Sequence, residues 1–337
     1  MVARWGTLVA AVAIAGIGIW YFVAGDDPNR VTLLNVSYDP TRELWRELND
    51  AFIADYEART GKKLTIRQSH GGSGTQARSV MDGLRADVVT LALWSDTDAL
   101  RRKELLAQGW EQRLPFNSLP YYSTIVFVVR SGNPKGIRDW PDLVKPGIGV
   151  ITPNPKTSGN GKLSYLAAWG SVRIRGGSED DAQAYVKALY ENVLVLDAGA
   201  RGSAVTFAKR RIGDVHLTWE NEAHLEVREA KGTLEIVYPV SGSIKAEPFV
   251  AWVDAVVERK KTQQVAKEYL EFLYTDAGQE MIARHHYRPI RSEILARHRN
   301  RLPEMKLYPV ATIAHNWDEV QTKFFAAGAL FDQIYAR

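Results

Sequence analysis

Gln68-Ser69-His70-Gly71-Gly72-Ser73-Gly74 is the stretch whose reading decides the fold. Ahead of it, residues 64–68 form a short β-prone run; behind it, Ala77, Val80, Met81 and Leu84 recur on one helical face. A strand therefore ends, a glycine- and serine-rich joint follows, and a helix begins. The same design returns at Ser158-Gly159-Asn160-Gly161 and at Gly199-Ala200-Arg201-Gly202-Ser203. A fourth joint, Asp39-Pro40, lacks glycine but places an N-cap residue before a proline at the first helical position. Any one Gly-Ser turn is most simply a plain turn. Taken together, they predict an α/β chain of parallel sheets flanked by helices.

The remaining elements follow the same alternation. Strands are predicted at 31–36, 88–93, 123–129, 193–196 and 215–219, with a short one ending at Val150-Ile151. Leu44, Leu48, Phe52 and Tyr56 share a face and predict a helix from the Asp39 cap to about residue 56. Further helices are expected at 162–169, 180–190, 220–229, 262–274 and 276–285. The run 123–129 is the natural place for the chain to cross between domains, and 234–237 with 249–253 are read as returning it to the first sheet.

Composition narrows the function classes. The 337 residues are 45% hydrophobic and 24% charged, enough for two packed domains. The 43 basic and 39 acidic residues leave a net charge of +4 with no long basic run, which argues against nucleic acid. The absence of cysteine removes disulfides, thiolate metal sites and cysteine nucleophiles. Arg4, the uncharged run 5–25 and Asp26-Asp27 describe an export signal. As a helix, that run would span about 31 Å, so an uncleaved membrane anchor is the alternative to a cleaved signal.

Free amides at helix starts point outward, and the helix dipole adds partial positive charge there. Glycine admits close approach of backbone to ligand, and serine adds a hydroxyl. Several such starts converging on one cleft would make an anion site with no formal countercharge. Competing motifs fail. Gly159-Asn160-Gly161-Lys162 hints at a phosphate loop, but Leu163 and Lys156 stand where that loop needs Ser/Thr and glycine. His285-His286 lacks metal-ligand spacing, and Ser73 has no base near it in sequence and no nucleophile elbow. No catalytic residue, metal or cofactor is expected.

Longer motifs carry a resemblance. Asn35-Val36-Ser37-Tyr38-Asp39-Pro40-Thr41-Arg42-Glu43, the Gln68 to Gly74 stretch, Ile151-Thr152-Pro153-Asn154-Pro155-Lys156-Thr157-Ser158-Gly159 and Trp219-Glu220-Asn221-Glu222-Ala223 resemble, in order and spacing, the periplasmic sulfate-binding proteins. The resemblance implies a two-lobed periplasmic binding protein of type II, each lobe a sheet flanked by helices, behind an N-terminal signal or anchor helix at 1–25. It implies a first lobe of 31–120 plus 234–337 and a second of 121–233. It further implies a monomeric, non-enzymatic receptor that passes sulfate or thiosulfate to the permease of an ATP-binding-cassette importer. Another oxyanion such as molybdate, or a membrane-anchored anion sensor, is the alternative. The site residues it implies are Asp39, Ser73, Ser158, Gly159, Asn160, Ala200 and Trp219, acting mostly through backbone amides, with the Ser158 hydroxyl and Trp219 indole as side-chain donors. The Asp39 amide would face the anion while its carboxylate caps the helix. At Asn160 the family pattern has glycine; an amide survives that change.

Overall fold

The computed structural model describes residues 29–335. The apolar run 5–25, read as signal or anchor, lies outside that range; among the described residues no helix is long and apolar enough to cross a membrane.

The chain opens with β1 (Arg30–Tyr38), α1 (Arg42–Thr60), β2 (Lys63–Gly71), α2 (Ser73–Met81), β3 (Val88–Leu91) and α3 (Trp94–Arg102). It then crosses to β4 (Ile125–Arg130), β5 (Val150–Pro153), α4 (Gly159–Arg173), α5 (Glu179–Glu191), β6 (Val193–Asp197), α6 (Ala200–Ala204), β7 (Val215–Trp219), α7 (Glu220–Glu229) and β8 (Leu234–Val237). Strand β9 (Phe249–Trp252) returns it. The first sheet has the order β9-β3-β1-β2, parallel except for β9. The second has the order β6-β5-β7-β4-β8, with β4 antiparallel to both neighbours.

Local chemistry explains these elements. In α1 the residues Leu44, Leu48, Phe52 and Tyr56 are all buried, and the helix stops at Gly61, whose left-handed conformation closes the last turn. Strands β3 and β4 are almost continuously buried, as central strands covered on both faces must be. Strand β2 runs to Gly71 and takes in residues 69–71, expected as loop. There the Ser37 hydroxyl and His70 Nδ1 lie 2.7 Å apart and tie its end to β1.

Two expectations about chain course are corrected. The run 234–237 does not return to the first sheet; β8 pairs antiparallel with β4 at the edge of the second, and only β9 returns. A short run such as Leu234-Glu235-Ile236-Val237 reads as a strand without naming its partner. The first lobe therefore does not take up 234 onward as a block. The tail also parts from it: Tyr308, Phe324, Phe325 and Phe331 join the core of the second sheet. Tyr308 donates to the Ala167 carbonyl at 2.6 Å and packs against Gly170 of α4, where a Cβ would sit 2.4 Å from its ring. No larger residue fits there.

Candidate anion-binding site

In parallel sheets, ligands sit beyond the carboxyl ends of the strands. Here β1, β2 and β3 from one sheet and β5, β6 and β7 from the other point those ends at a common cavity of about 20 Å³. Its wall contains Asp39, Ser73, Ser158, Gly159, Asn160, Ala200 and Trp219, together with Tyr38, Ala92 and the glycines 71, 72 and 199. Sites for drug-sized molecules need roughly 300–1,000 Å³, and one water needs roughly 10–15 Å³. This cavity has room for a small ion and nothing larger.

Donors at this wall come chiefly from the helix starts. Helix α2 starts at Ser73 without a side-chain cap, and its first internal bond is Gln76 N–H to the Gly72 carbonyl. The amide of Ser73 is thus one of the helix's unpaired donors. Its hydroxyl is committed elsewhere, donating to Asp96 Oδ2 at 2.5 Å while accepting from the Ala92 amide at 3.0 Å. At α4 the roles are reversed. The Ser158 amide is spent on the Asn154 carbonyl at 2.9 Å, and its oxygen accepts from Gly161 N–H at 3.4 Å, leaving the hydroxyl proton free to donate. Gly159 and Asn160 follow as the first two helical residues. Asn160 is not among the residues with positive φ, so the side chain costs no backbone strain. Its Nδ2 donates to the Leu217 carbonyl at 3.2 Å. Helix α6 starts at Ala200 behind an extended Gly199, again uncapped.

Trp219 closes β7. Its ring packs against Tyr38 with centroids 5.5 Å apart, and its indole N–H has no partner among the described residues. Core packing and an unspent donor therefore coincide in one side chain. Asp39 departs from expectation. It lies inside a short 3-10 turn, Asp39–Thr41, and caps nothing with its side chain; its carboxylate accepts instead from Arg42 at 2.8 Å. Thr41 is the residue preceding α1, so Asp39 stands two residues too early to cap it.

The lining contains no lysine, arginine or histidine. Arg201 comes next after Ala200, but its guanidinium is held by Glu43 at 2.8 Å and by Glu222 at 2.7 Å. Burial works against that charge, and the two carboxylates more than offset it. Burial pushes the Glu222 carboxyl up to about 7, with Arg201 pulling the other way. Folding thus favours protonated Glu222. The stability this proton gives is complete below pH 4.5, the unperturbed value, and is lost as pH rises through about 7. Glu222→Gln, uncharged at every pH, is expected to flatten the melting temperature between pH 5 and 8 and to raise it by a few degrees at pH 8, as thermal melts at both ends of that range would show.

The two sheets' elements touch around the cavity. A Cβ on Gly72 would meet the Thr157 carbonyl at 2.9 Å, and one on Gly159 would meet the Ala92 Cβ at 2.9 Å. The chemistry this supports is capture of a small acceptor-only anion.

Comparison with known proteins gives the same direction. Residues 45–288 match the bacterial extracellular solute-binding protein family. The sulfate-binding protein of Escherichia coli K12 is 51% identical over 326 residues, 96% of this chain and 99% of that protein. The chain belongs to the sulfate- and thiosulfate-binding family of bacterial extracellular solute-binding proteins. The thiosulfate-binding protein of Pseudomonas aeruginosa is 48% identical over 90% of this chain and 92% of its own. Among solved structures, the sulfate-binding protein SubI of Mycobacterium tuberculosis superposes with a TM-score of 0.79 at 29% identity, covering 88% of this chain and 99% of that one. The fold is that of the periplasmic binding proteins, mixed α/β sheets flanked by helices.

Sequence reasoning passed over several residues that shape this cavity. Asp96, which takes the Ser73 proton, left only the signal of an acidic residue just after a buried strand. The Arg201 pairing with Glu43 and Glu222 joins residues up to 158 positions apart and left none.

Proposed function

We propose that this protein is an extracytoplasmic, non-enzymatic receptor that captures sulfate, with thiosulfate as a second ligand, and delivers it to an ATP-binding-cassette importer. The observation that carries the reading is a small cavity onto which helix starts from both sheets, the Ser158 hydroxyl and the Trp219 indole converge, with no lysine, arginine or histidine in its lining. Sulfate accepts hydrogen bonds and donates none, so a wall rich in donors suits it. Hydrogen bonds to a charged group contribute about 1.5–3 kcal/mol each, and a handful offsets desolvation of the dianion. Hydrogen phosphate brings an O–H that this wall leaves unpaired, at a cost of about 1–3 kcal/mol.

The first sheet with its helices forms one lobe; the second sheet, with the C-terminal tail packed on it, forms the other. The crossing segments around Tyr121–Tyr122 and Ser243–Ile244 serve as the hinge. The seven residues Asp39, Ser73, Ser158, Gly159, Asn160, Ala200 and Trp219 bind the anion. The family and the apolar run 5–25 support a periplasmic, exported protein.

Calorimetry with sulfate, thiosulfate, phosphate and molybdate tests this. Sulfate is expected to bind and phosphate not; a preference for phosphate, or no binding at all, rejects the reading. Trp219→Phe keeps the ring contact with Tyr38 and removes one donor. It is expected to weaken sulfate binding about tenfold to a hundredfold in the same titration.

A further inference from the structure

We propose that the C-terminal strap, residues 316–335, positions the anion-binding loop, and that Lys156 is the residue through which it acts. This inference rests on the anion site described above. Lys156 lies two residues before Ser158, in the loop that launches α4. Its ammonium donates to the carbonyls of Phe325 and Ala326, both at 3.0 Å, and to the Asp332 carboxylate at 2.8 Å. An ammonium has three protons, and all three are taken by the strap.

The strap is a firm anchor. Phe324 and Phe325 pack against Tyr165 with ring centroids 5.5 and 5.4 Å away, and Phe331 lies 5.5 Å from Tyr190. Asp332 also accepts from the Gly328 amide at 2.8 Å, so the acceptor that meets Lys156 is fixed from its own side. The loop's other ties are shorter in reach. The Lys156 amide donates to Asn154 Oδ1 at 2.8 Å, and the Thr157 hydroxyl donates to the Ala198 carbonyl at 2.8 Å.

The loop has little tolerance for error. The Thr157 carbonyl faces Gly72 so closely that a Cβ there would stand 2.9 Å away, and the next residue carries the donating hydroxyl. A displacement of a few tenths of an ångström would carry the Ser158 hydroxyl and the Gly159 amide with it. A surface lysine paired with one carboxylate would contribute little. One that binds two main-chain carbonyls as well fixes a loop in a single place, which is how groups outside a site hold the groups inside it.

Lys156→Met and Asp332→Asn test this in the full chain. In Lys156→Met, sulfate binding by calorimetry is expected to fall roughly tenfold. Asp332→Asn, which keeps the two carbonyl bonds, should lose a smaller part. Hydrogen exchange of the Gly159 and Asn160 amides should speed up in Lys156→Met without sulfate present, while the melting temperature stays within a few degrees of the parent. Combined with Ser158→Ala, the loss should be less than the sum of the two single losses, because part of the Lys156 effect passes through the hydroxyl that Ser158→Ala removes. Unchanged affinity with unchanged exchange overturns the positioning role, as does a fully additive double variant. Failure of the unsubstituted chain to bind sulfate overturns the site itself, and the inference with it.

Discussion

Gly159→Ala is expected to lower sulfate affinity by more than about a hundredfold while leaving the unliganded protein nearly as stable as its parent. The added methyl would lie 2.9 Å from the Cβ of Ala92 and 3.6 Å from that of Ser73. Carbon atoms settle at about 3.5–4.0 Å, so the two elements must move apart by roughly 0.6 Å or more. Ala92 cannot turn aside, because its Cβ is fixed to the backbone and it is 1% exposed. Ser73 and Asp39 stand on one side of the cavity, and Gly159, Asn160, Ala200 and Trp219 on the other. Widening the gap stretches charge-assisted bonds of about 2.7–2.9 Å beyond useful length on at least one side. The helix itself gains from alanine in place of glycine. Calorimetry beside a thermal melt separates the two effects, and an unaltered affinity would mean that Gly159 and Ala92 do not meet in the bound state.

The second large effect concerns stability. Arg288 grips Glu220 with two bonds, Nε to Oε2 at 2.7 Å and Nη2 to Oε1 at 2.8 Å, and also donates to the Pro303 carbonyl at 2.8 Å. The arginine side chain is 4% exposed and the carboxylate 0%. Burial raises the Glu220 carboxyl above its ordinary value, with Arg288 opposing. Arg288→Met strands that carboxylate in the interior, at a cost of about 3–5 kcal/mol. Stranded Glu220 can escape by taking up a proton, so the loss read from urea denaturation should be smaller at pH 5 than at pH 8. Replacing both residues, Arg288→Met with Glu220→Gln, should recover most of it. Glu220 follows Trp219 directly, and its amide donates to the Thr124 carbonyl at 3.0 Å, so this pair also secures the strand end that carries the indole.

Much of this architecture is legible in the residues. The joints at Gly72-Ser73, Ser158-Gly159 and Gly199-Ala200 are strand-to-helix turns in the structure, as glycine and serine, poor continuers of a strand and good starters of a turn, signal. The long apolar stripe of α1 and the buried runs of β3 and β4 were equally plain, since periodicity and burial are local signals. What was hidden depends on partners distant in sequence. Leu234–Val237 reads as a strand but carries no mark of the sheet it joins. Phe324, Phe325 and Phe331 lie beyond the last predicted helix, and only the ring surface of Tyr165 and Tyr190 tells which lobe receives them. Asp39 reads as a cap because aspartate before proline usually is one, yet Arg42 offers its carboxylate a nearer partner. Asp96, Arg201 and Arg288 belong to the same class: their roles are set by what folding brings opposite them.

The central claim is that peptide N–H groups from both lobes hold the dianion, with no cation touching it. Amide and indole proton shifts followed by NMR during a sulfate titration address it directly. The amides of Asp39, Ser73, Gly159, Asn160 and Ala200 and the indole of Trp219 should all move downfield together, with one dissociation constant. Saturable sulfate binding that leaves those six resonances in place, or that moves lysine and arginine signals instead, would contradict it.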